Sequence, residues 1–197
     1  MPLLALEPFI YPEHLLDQPA NCDVGTGRWW VLHTRPRAEK TLARRLHDRR
    51  MSYFLPLYQR QWKKGGRAFR SFLPVFPGYV FLHGDDQARI AALETNLVAQ
   101  ALPVDDQWQL HADLFRVHRL LTTGAAVTPE ERLGPGDTVE VVKGPFAGLT
   151  GKILRHGKQL RFVVEVQFLR QAVSVELESW MVQSALMAAM QTSIDRL

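Results

Sequence analysis

The sequence contains one cysteine, Cys22, in 197 residues. An intrachain disulfide is therefore excluded, and a thiolate zinc site lacks its partners, so a reducing, cytoplasmic setting is expected. Long hydrophobic runs are missing as well. No stretch reaches the roughly 18 apolar residues that cross a bilayer as a helix, and no membrane partner is expected. No Lys or Arg precedes Arg28, whereas Glu7, Glu13, Asp17 and Asp23 do, which is the wrong charge for a secretory leader. The signatures of catalysis are absent too. Of the seven histidines none lies in an HExxH pattern, and there is no CxxC, no GxSxG elbow and no GxxxxGK[ST] loop. His111 and His118 lack a third ligand nearby. Gly144, Gly148 and Gly151 are too loosely spaced for a phosphate loop and suit tight turns and bulges. Asp85-Asp86 and Asp105-Asp106 read as helix caps. The expectation is a protein that is not an enzyme, with no catalytic residue, metal or cofactor.

What is present begins with charge. The composition, 46% hydrophobic and 22% charged, is that of a globular chain, and the formal net charge is +4. That charge is segregated: residues 28 to 70 hold 13 basic and two acidic residues, a net +11, against −7 for the rest. A block of this kind is an electrostatic footprint for a polyanion.

Periodicity divides the chain. Residues 1–27, acidic and punctuated by Pro2, Pro8, Pro12 and Pro19, read as an irregular N-terminal extension. Arg28 to Thr34 reads as a strand, and Pro36 to Arg50 as a helix with Ala38, Leu42 and Leu46 on one stripe. Arg37, Lys40 and Arg44 then share another face. Ser52 to Tyr58 is a second strand, Gln59 to Arg70 a basic hairpin tip around Gly65-Gly66, and Ser71 to His83 a strand kinked at Pro74, Pro77 and Gly78. A helix from Asp85, a strand over Leu97–Leu102 and a helix over His111–Leu121 follow. The order β-α-β-β-α-β predicts an α+β fold, a split β-α-β arrangement with an antiparallel sheet and helices on one face, for residues 28–121. Residues 122–134 read as a linker. Four β-rich runs, Thr138–Val142, Leu149–Leu154, Leu160–Phe168 and Ala172–Leu177, predict a small all-β barrel over 135–183. Residues 184–197 form a tail, with Leu186, Ala189 and Met190 at helical spacing.

The segment GDTVEVVKGPFAGLTGKILR with SVEL downstream resembles the KOW module of the NusG family of transcription factors. Independently, WWVLHTRPRAEKTLARRL and FLPLYQRQWKKGGRAFRSFLPVFPGYVFL resemble that family's N-terminal domain, FPGYVF being the sharpest element. The two resemblances together cover residues 28 to 182 in the family's order.

The resemblance implies a transcription elongation and antitermination factor. Its N-terminal domain would bind the clamp helices of the largest RNA polymerase subunit, bridge the cleft and reduce pausing or termination. The positions matching the clamp contact are Trp30, His33, Phe76, Tyr79 and Phe81, with the Pro77-Gly78 kink bringing Phe76 and Phe81 to one face. A basic surface matching Arg35, Arg37, Lys40 and Arg44, with Lys63 and Lys64 on the hairpin, would touch the non-template DNA strand or nascent RNA. Trp62 and Phe69, set among those bases, are candidates for base stacking. The KOW positions Phe146, Leu149, Phe168 and Arg170 match the surface that receives NusE or Rho, with Phe146 expected to be exposed in its glycine-bounded loop. One departure stands out. In LETNLVAQALPVDD, Thr95 and Asn96 lack the Pro-Gly that the family usually places near the polymerase gate loop. With the N-terminal extension, this looks more like a specialised paralogue of the RfaH kind, acting at specific operons, than the housekeeping factor. The free protein is expected to be a monomer. The alternative is a ribosome- or RNA-associated KOW binding protein.

Overall fold

The computed structural model describes residues 8–17, 27–130, 137–156, 159–177 and 182–184. The chain forms two compact units that divide at Phe115/Arg116.

The first unit contains β1 (Ile10–Tyr11), β2 (Arg28–Thr34), α1 (Glu39–Asp48), β3 (Ser52–Phe54), β4 (Leu57–Lys64), β5 (Arg67–Pro74), β6 (Tyr79–Gly84), α2 (Asp86–Leu93), β7 (Val98–Pro103) and the first half of α3 (Gln107–Thr122). An antiparallel sheet runs β1-β3-β6-β2-β7, and β4-β5 form a separate two-stranded ribbon. The Ser71–His83 run is thus two strands in two sheets, not one kinked strand. Its break is a turn: the Tyr79 N–H donates to the Phe76 carbonyl at 3.2 Å, and Gly78 takes φ +84°. Proline then glycine at the two central positions is the type II pattern, in which only the second needs positive φ.

Alternation along the strands sorts side chains onto two faces. One face of the sheet, with Trp30, Leu32, Tyr53, Val80, Leu82 and Val98, packs on Leu42, Ala43 and Leu46 of α1 and Ala92 of α2. The apolar stripe of α1 is buried as the sequence predicts, and truncating Leu42 to Ala would cost about 2–5 kcal/mol. α2 is capped by Asp85, whose carboxylate accepts from the Ala88 N–H at 2.9 Å. The opposite face is not bare. Trp29 points there, and its indole N–H donates to His111 Nδ1 of α3 at 3.3 Å. The Gln107 side chain completes the edge, accepting from Trp29 N–H at 2.6 Å and donating to the Trp29 carbonyl at 3.1 Å. Helices therefore lie on both faces of the sheet, because the N-terminal half of α3 carries the groups that satisfy Trp29.

Two further boundaries differ from expectation. The extension is not wholly irregular: Ile10 and Tyr11 pair with Phe54 and Tyr53, and Leu16 is fully buried. The Tyr53 hydroxyl donates to the Pro8 carbonyl at 2.9 Å, and Leu55 N–H to the Phe9 carbonyl at 2.6 Å. The pairing of Ile10 and Tyr11 covers the open edge of β3, which otherwise presents unpaired backbone groups. α1 begins at Glu39, not Pro36, because Arg37 sits at φ +61°, a left-handed conformation that a right-handed helix cannot contain.

The second unit holds β8 (Val127–Glu130), β9 (Asp137–Val141), β10 (Thr150–His156), β11 (Gln159–Val166), β12 (Gln171–Leu177) and β13 (Val182–Ser184) in an antiparallel sheet ordered β13-β9-β10-β11-β12-β8. β9 to β12 are the four predicted runs. β8 falls inside the span expected to be a linker, since Val127–Glu130 pair with Val175–Ala172 of β12. Phe162–Val164 and Ala172–Val175 are buried without alternation, apolar throughout except for the buried Ser174. Gly151 is required for this packing: a Cβ would lie 2.6 Å from the Val163 carbonyl oxygen and 2.7 Å from the Phe162 ring. The tail after Ser184, with its helical spacing, lies outside the described residues.

Candidate functional site

Four of the five residues expected at the clamp contact come together. Tyr79 pairs directly with His33 across β2 and β6, their rings 5.3 Å apart. Phe81, two residues along, shares that face and pairs with Val31. The Phe76–Tyr79 turn folds Phe76 back so that its ring meets Phe81 edge to face at 6.1 Å. Phe54 extends the row, stacked on Phe81 at 6.4 Å. The kink expected at Pro77-Gly78 is therefore a turn between strands, and it does unite the two phenylalanines.

Trp30 is separated from this group. It lies on the α1/α2 face, 5% exposed, with its indole N–H donating to the Gly84 carbonyl at 3.3 Å. Arg28 stands 4.2 Å over its ring, and Asp86 binds both Arg28 at 3.1 Å and Arg89 at 3.3 Å. The Arg89 hydrogen bond, then Arg28, holds the Asp86 carboxyl below its usual value. Trp30 and His33 are three apart on one strand, so alternation places them on opposite faces. The same alternation puts Trp29 beside Val31 and His33, a relationship the period of two makes readable from sequence.

Exposure differs sharply within the cluster. Phe76 and Phe81 are 1% and 0% exposed, whereas His33 is exposed and Tyr79 half-buried. The phenylalanines form a floor rather than an open aromatic patch, because each is already packed against another ring. At the other end of the face, His83 packs edge-on to Trp29 at 5.0 Å. Burial lowers the His83 pKa and the nearby His111 lowers it further, against a hydrogen bond to the Gly27 backbone that raises it.

Glu39 and Gly78 lock the turn. The Gly78 N–H donates to Glu39 Oε1 at 2.8 Å, and the Gly78 carbonyl accepts from Thr34 N–H at 2.8 Å. Glu39 is buried in the first turn of α1, where the helix dipole favours an acid. Nothing in the sequence pattern marks this residue. The segment after α2 closes without Pro-Gly: Asn96 adopts φ +59°, and Thr95 Oγ1 donates to the Ala92 carbonyl at 2.7 Å.

Of the basic residues, Arg35, Arg37 and Arg44 are exposed and Lys40 is half-buried. Arg37, like Arg35, precedes α1 instead of sharing a helical face with Lys40 and Arg44. Lys63 is exposed on β4, and Lys64 ends that strand at the Gly65-Gly66 turn, whose φ values of +57° and +75° fit a two-residue hairpin.

In the second unit Phe146 and Leu149 are buried at 3% and 2%, contrary to the exposed loop aromatic expected. The loop folds back on its own strand: Gly148 N–H donates to the Val141 carbonyl at 2.7 Å, and Val141 N–H to the Leu149 carbonyl at 2.9 Å. Phe168, 39% exposed, and the exposed Arg170 instead stand at the turn between β11 and β12. Among the described residues no group of three His, Cys, Asp or Glu is placed to hold a metal ion, and no helix is long and apolar enough to cross a membrane.

A helix-covered antiparallel sheet with a basic ribbon, followed by a small all-β unit, makes an α+β chain of two units. Residues 27–131 match the family described as transcription termination factor nusG, and residues 135–155 match the KOW motif. The chain is 25% identical over 171 residues to the transcription termination/antitermination protein NusG of Pseudomonas aeruginosa, covering 77% of this chain and 94% of that protein. A solved crystal structure of the MjSpt4:Spt5 complex aligns with 80% of this chain and 96% of its own, at 18% identity and a TM-score of 0.26. The chain belongs to the NusG family of transcription termination/antitermination factors.

Proposed function

We propose that this protein is a non-catalytic elongation and antitermination factor that docks on the clamp helices of RNA polymerase, bridges the cleft and reduces pausing or termination. The observation that carries this is the single sheet face on which His33 and Tyr79 stand over Phe76 and Phe81. A polar and aromatic rim on a close-packed apolar floor is the anatomy of an interface hot spot. Trp30 supports that sheet from its other side. Arg35, Arg37, Lys40 and Arg44, with Lys63 and Lys64, would hold the displaced DNA strand or the transcript through phosphate contacts. The KOW unit would recruit NusE or Rho through Phe168 and Arg170, with Phe146 and Leu149 shaping the surface beneath. The departure around Asn96 favours a specialised paralogue that acts at particular operons in the cytoplasm.

The test is co-elution with a reconstituted bacterial elongation complex. Wild type is expected to co-elute, and a His33→Ala/Tyr79→Ala double variant is expected to be lost. Those positions are chosen because truncating the buried Phe76 or Phe81 would cost about 3–5 kcal/mol of folding and confuse the result. Co-elution of both proteins would move the contact elsewhere. Failure of both, with retention on ribosomes, would replace the polymerase reading with the ribosome-associated one.

A further inference from the structure

The β4–β5 ribbon carries a surface that the clamp face does not use. The register pairs Trp62 with Phe69, Arg60 with Ser71 and Tyr58 with Leu73, so alternation places these six on one face. Trp62 and Phe69 are each 41% exposed and stack on one another, ring centroids 5.7 Å apart and planes within 16°. Beside the stack lies a groove of about 380 Å³ lined by Arg60, Trp62, Ser71 and Leu73. That volume is within the range of about 300–1,000 Å³ typical of small-ligand sites. Residues 57–74 contain five basic residues and no acid.

We propose that this face is a stacking platform for single-stranded RNA. Charge complementarity selects a polyanion, since alternation puts Arg60 and Arg67 on this face and the ribbon carries no acid. The aromatic pair selects one with exposed bases: Trp62 belongs to both the stack and the groove, so a base lying beside the indole continues the stack. Base-paired RNA is a poor occupant, because its bases are stacked inside the helix and its major groove is too narrow for side chains. RNA is selected over DNA by the polar half of the groove. The Ser71 hydroxyl and the Arg60 guanidinium stand with Trp62 around one space, where they can meet a ribose 2′-hydroxyl as well as a phosphate. The Gly65-Gly66 turn puts two residues without side chains at the tip of the ribbon.

The test uses the full chain with no polymerase present, so its failure is separable from failure of clamp docking. Fluorescein-labelled oligouridine of about 12 nucleotides, a length typical of such sites, is titrated by fluorescence anisotropy beside oligothymidine DNA of equal length. Trp62→Ala is expected to weaken RNA binding about 5- to 100-fold, the cost of one lost base stack. Trp62→Phe is expected to restore most of it, and Arg60→Gln and Ser71→Ala to narrow the preference for RNA over DNA. A circular dichroism melt of each variant checks that the ribbon and sheet still fold. RNA binding by Trp62→Ala within twofold of wild type would overturn the platform. DNA bound as tightly as RNA would overturn the assignment to RNA, and no binding of either at low salt would overturn both.

Discussion

The carboxylate of Glu39 and the backbone N–H of Gly78 meet at 2.8 Å, tying the first turn of α1 to the turn that launches β6. Two elements 39 residues apart in sequence are thereby fixed to each other. Thr34, at the end of β2, is joined to the same glycine through its carbonyl. The turn sets both the Phe76–Phe81 floor and the position of Tyr79 over His33, so one buried acid governs the geometry of the proposed docking face. Removing it leaves the Gly78 donor without its partner. Glu39→Ala is expected to lower stability by about 1.5–3 kcal/mol, the range for hydrogen bonds to charged groups, as measured by urea unfolding. Glu39→Gln keeps an acceptor and should lose less. An unchanged urea midpoint for Glu39→Ala would show that the contact contributes nothing to folding.

Arg35 and Arg37 lie on the exposed link between β2 and α1, close in sequence to His33. If each neutralises a phosphate, each releases counterions on binding. Replacing both with Gln is expected to reduce the slope of log affinity for forked DNA against log salt by about 1 per residue, while affecting all sequences alike. Arg37 is left-handed at φ +61° in the wild type, and Gln faces the same backbone strain, so folding should change little. A salt slope unchanged by the double substitution would remove these two residues from the nucleic-acid surface.

Much of this was legible because local and tertiary preferences agree. The aromatic run Arg28–Thr34 is a strand, the Ala38-Leu42-Leu46 stripe is buried, and Gly65-Gly66 marks a hairpin turn, whereas Pro77-Gly78, read as a kink within one strand, is the turn that ends one strand and starts another. The rest depends on pairing partners far away. Ile10-Tyr11 and Val127–Glu130 are too short to show a period, and they become strands only by covering the edges of β3 and β12. Arg37 breaks the apparent start of α1 because the link must also bond Arg35 N–H to the Leu97 carbonyl at 2.9 Å. Within the site, alternation separates Trp30 from His33, which motif matching alone does not reveal. Phe146 is buried because its glycines let the loop return to Val141, so the glycines that suggested exposure produce the opposite.

His83 gives the first unit a pH dependence of defined sign. Burial first, and His111 second, push its pKa below the usual 6.5. The folded state thus resists a proton that the unfolded chain accepts, so its contribution to stability is complete above about pH 6.5 and declines as pH falls from there through the folded value. Melting temperatures taken between about pH 7.5 and pH 5.5 should fall for the wild type. They should fall less steeply for His83→Gln, whatever its absolute stability, because the comparison of slopes isolates the titrating group from the lost packing on Trp29. Parallel slopes for the two proteins would place the pH sensitivity on another histidine.

Phe168 and Arg170 allow the role of the KOW unit to be separated from its folding. Phe168 is 39% exposed, so Phe168→Ala should cost well under about 1 kcal/mol of stability, as surface substitutions usually do. As the aromatic anchor of a partner surface it should nonetheless cost about 30-fold or more in affinity for whichever of NusE or Rho binds. Arg170 adds an internal control. It sits at φ +53° after the 3-10 turn, a conformation that glycine adopts without penalty. Arg170→Gly should therefore raise stability, since the roughly 1–2 kcal/mol of left-handed strain it relieves exceeds the roughly 0.4–1 kcal/mol that glycine's freer unfolded chain costs, while removing the guanidinium. Titration of NusE and Rho separately, followed by calorimetry, would read both effects. Weaker binding together with a higher melting temperature identifies the Arg170 side chain as a contact. Binding that survives both substitutions would exclude the β11–β12 turn as the recruiting surface.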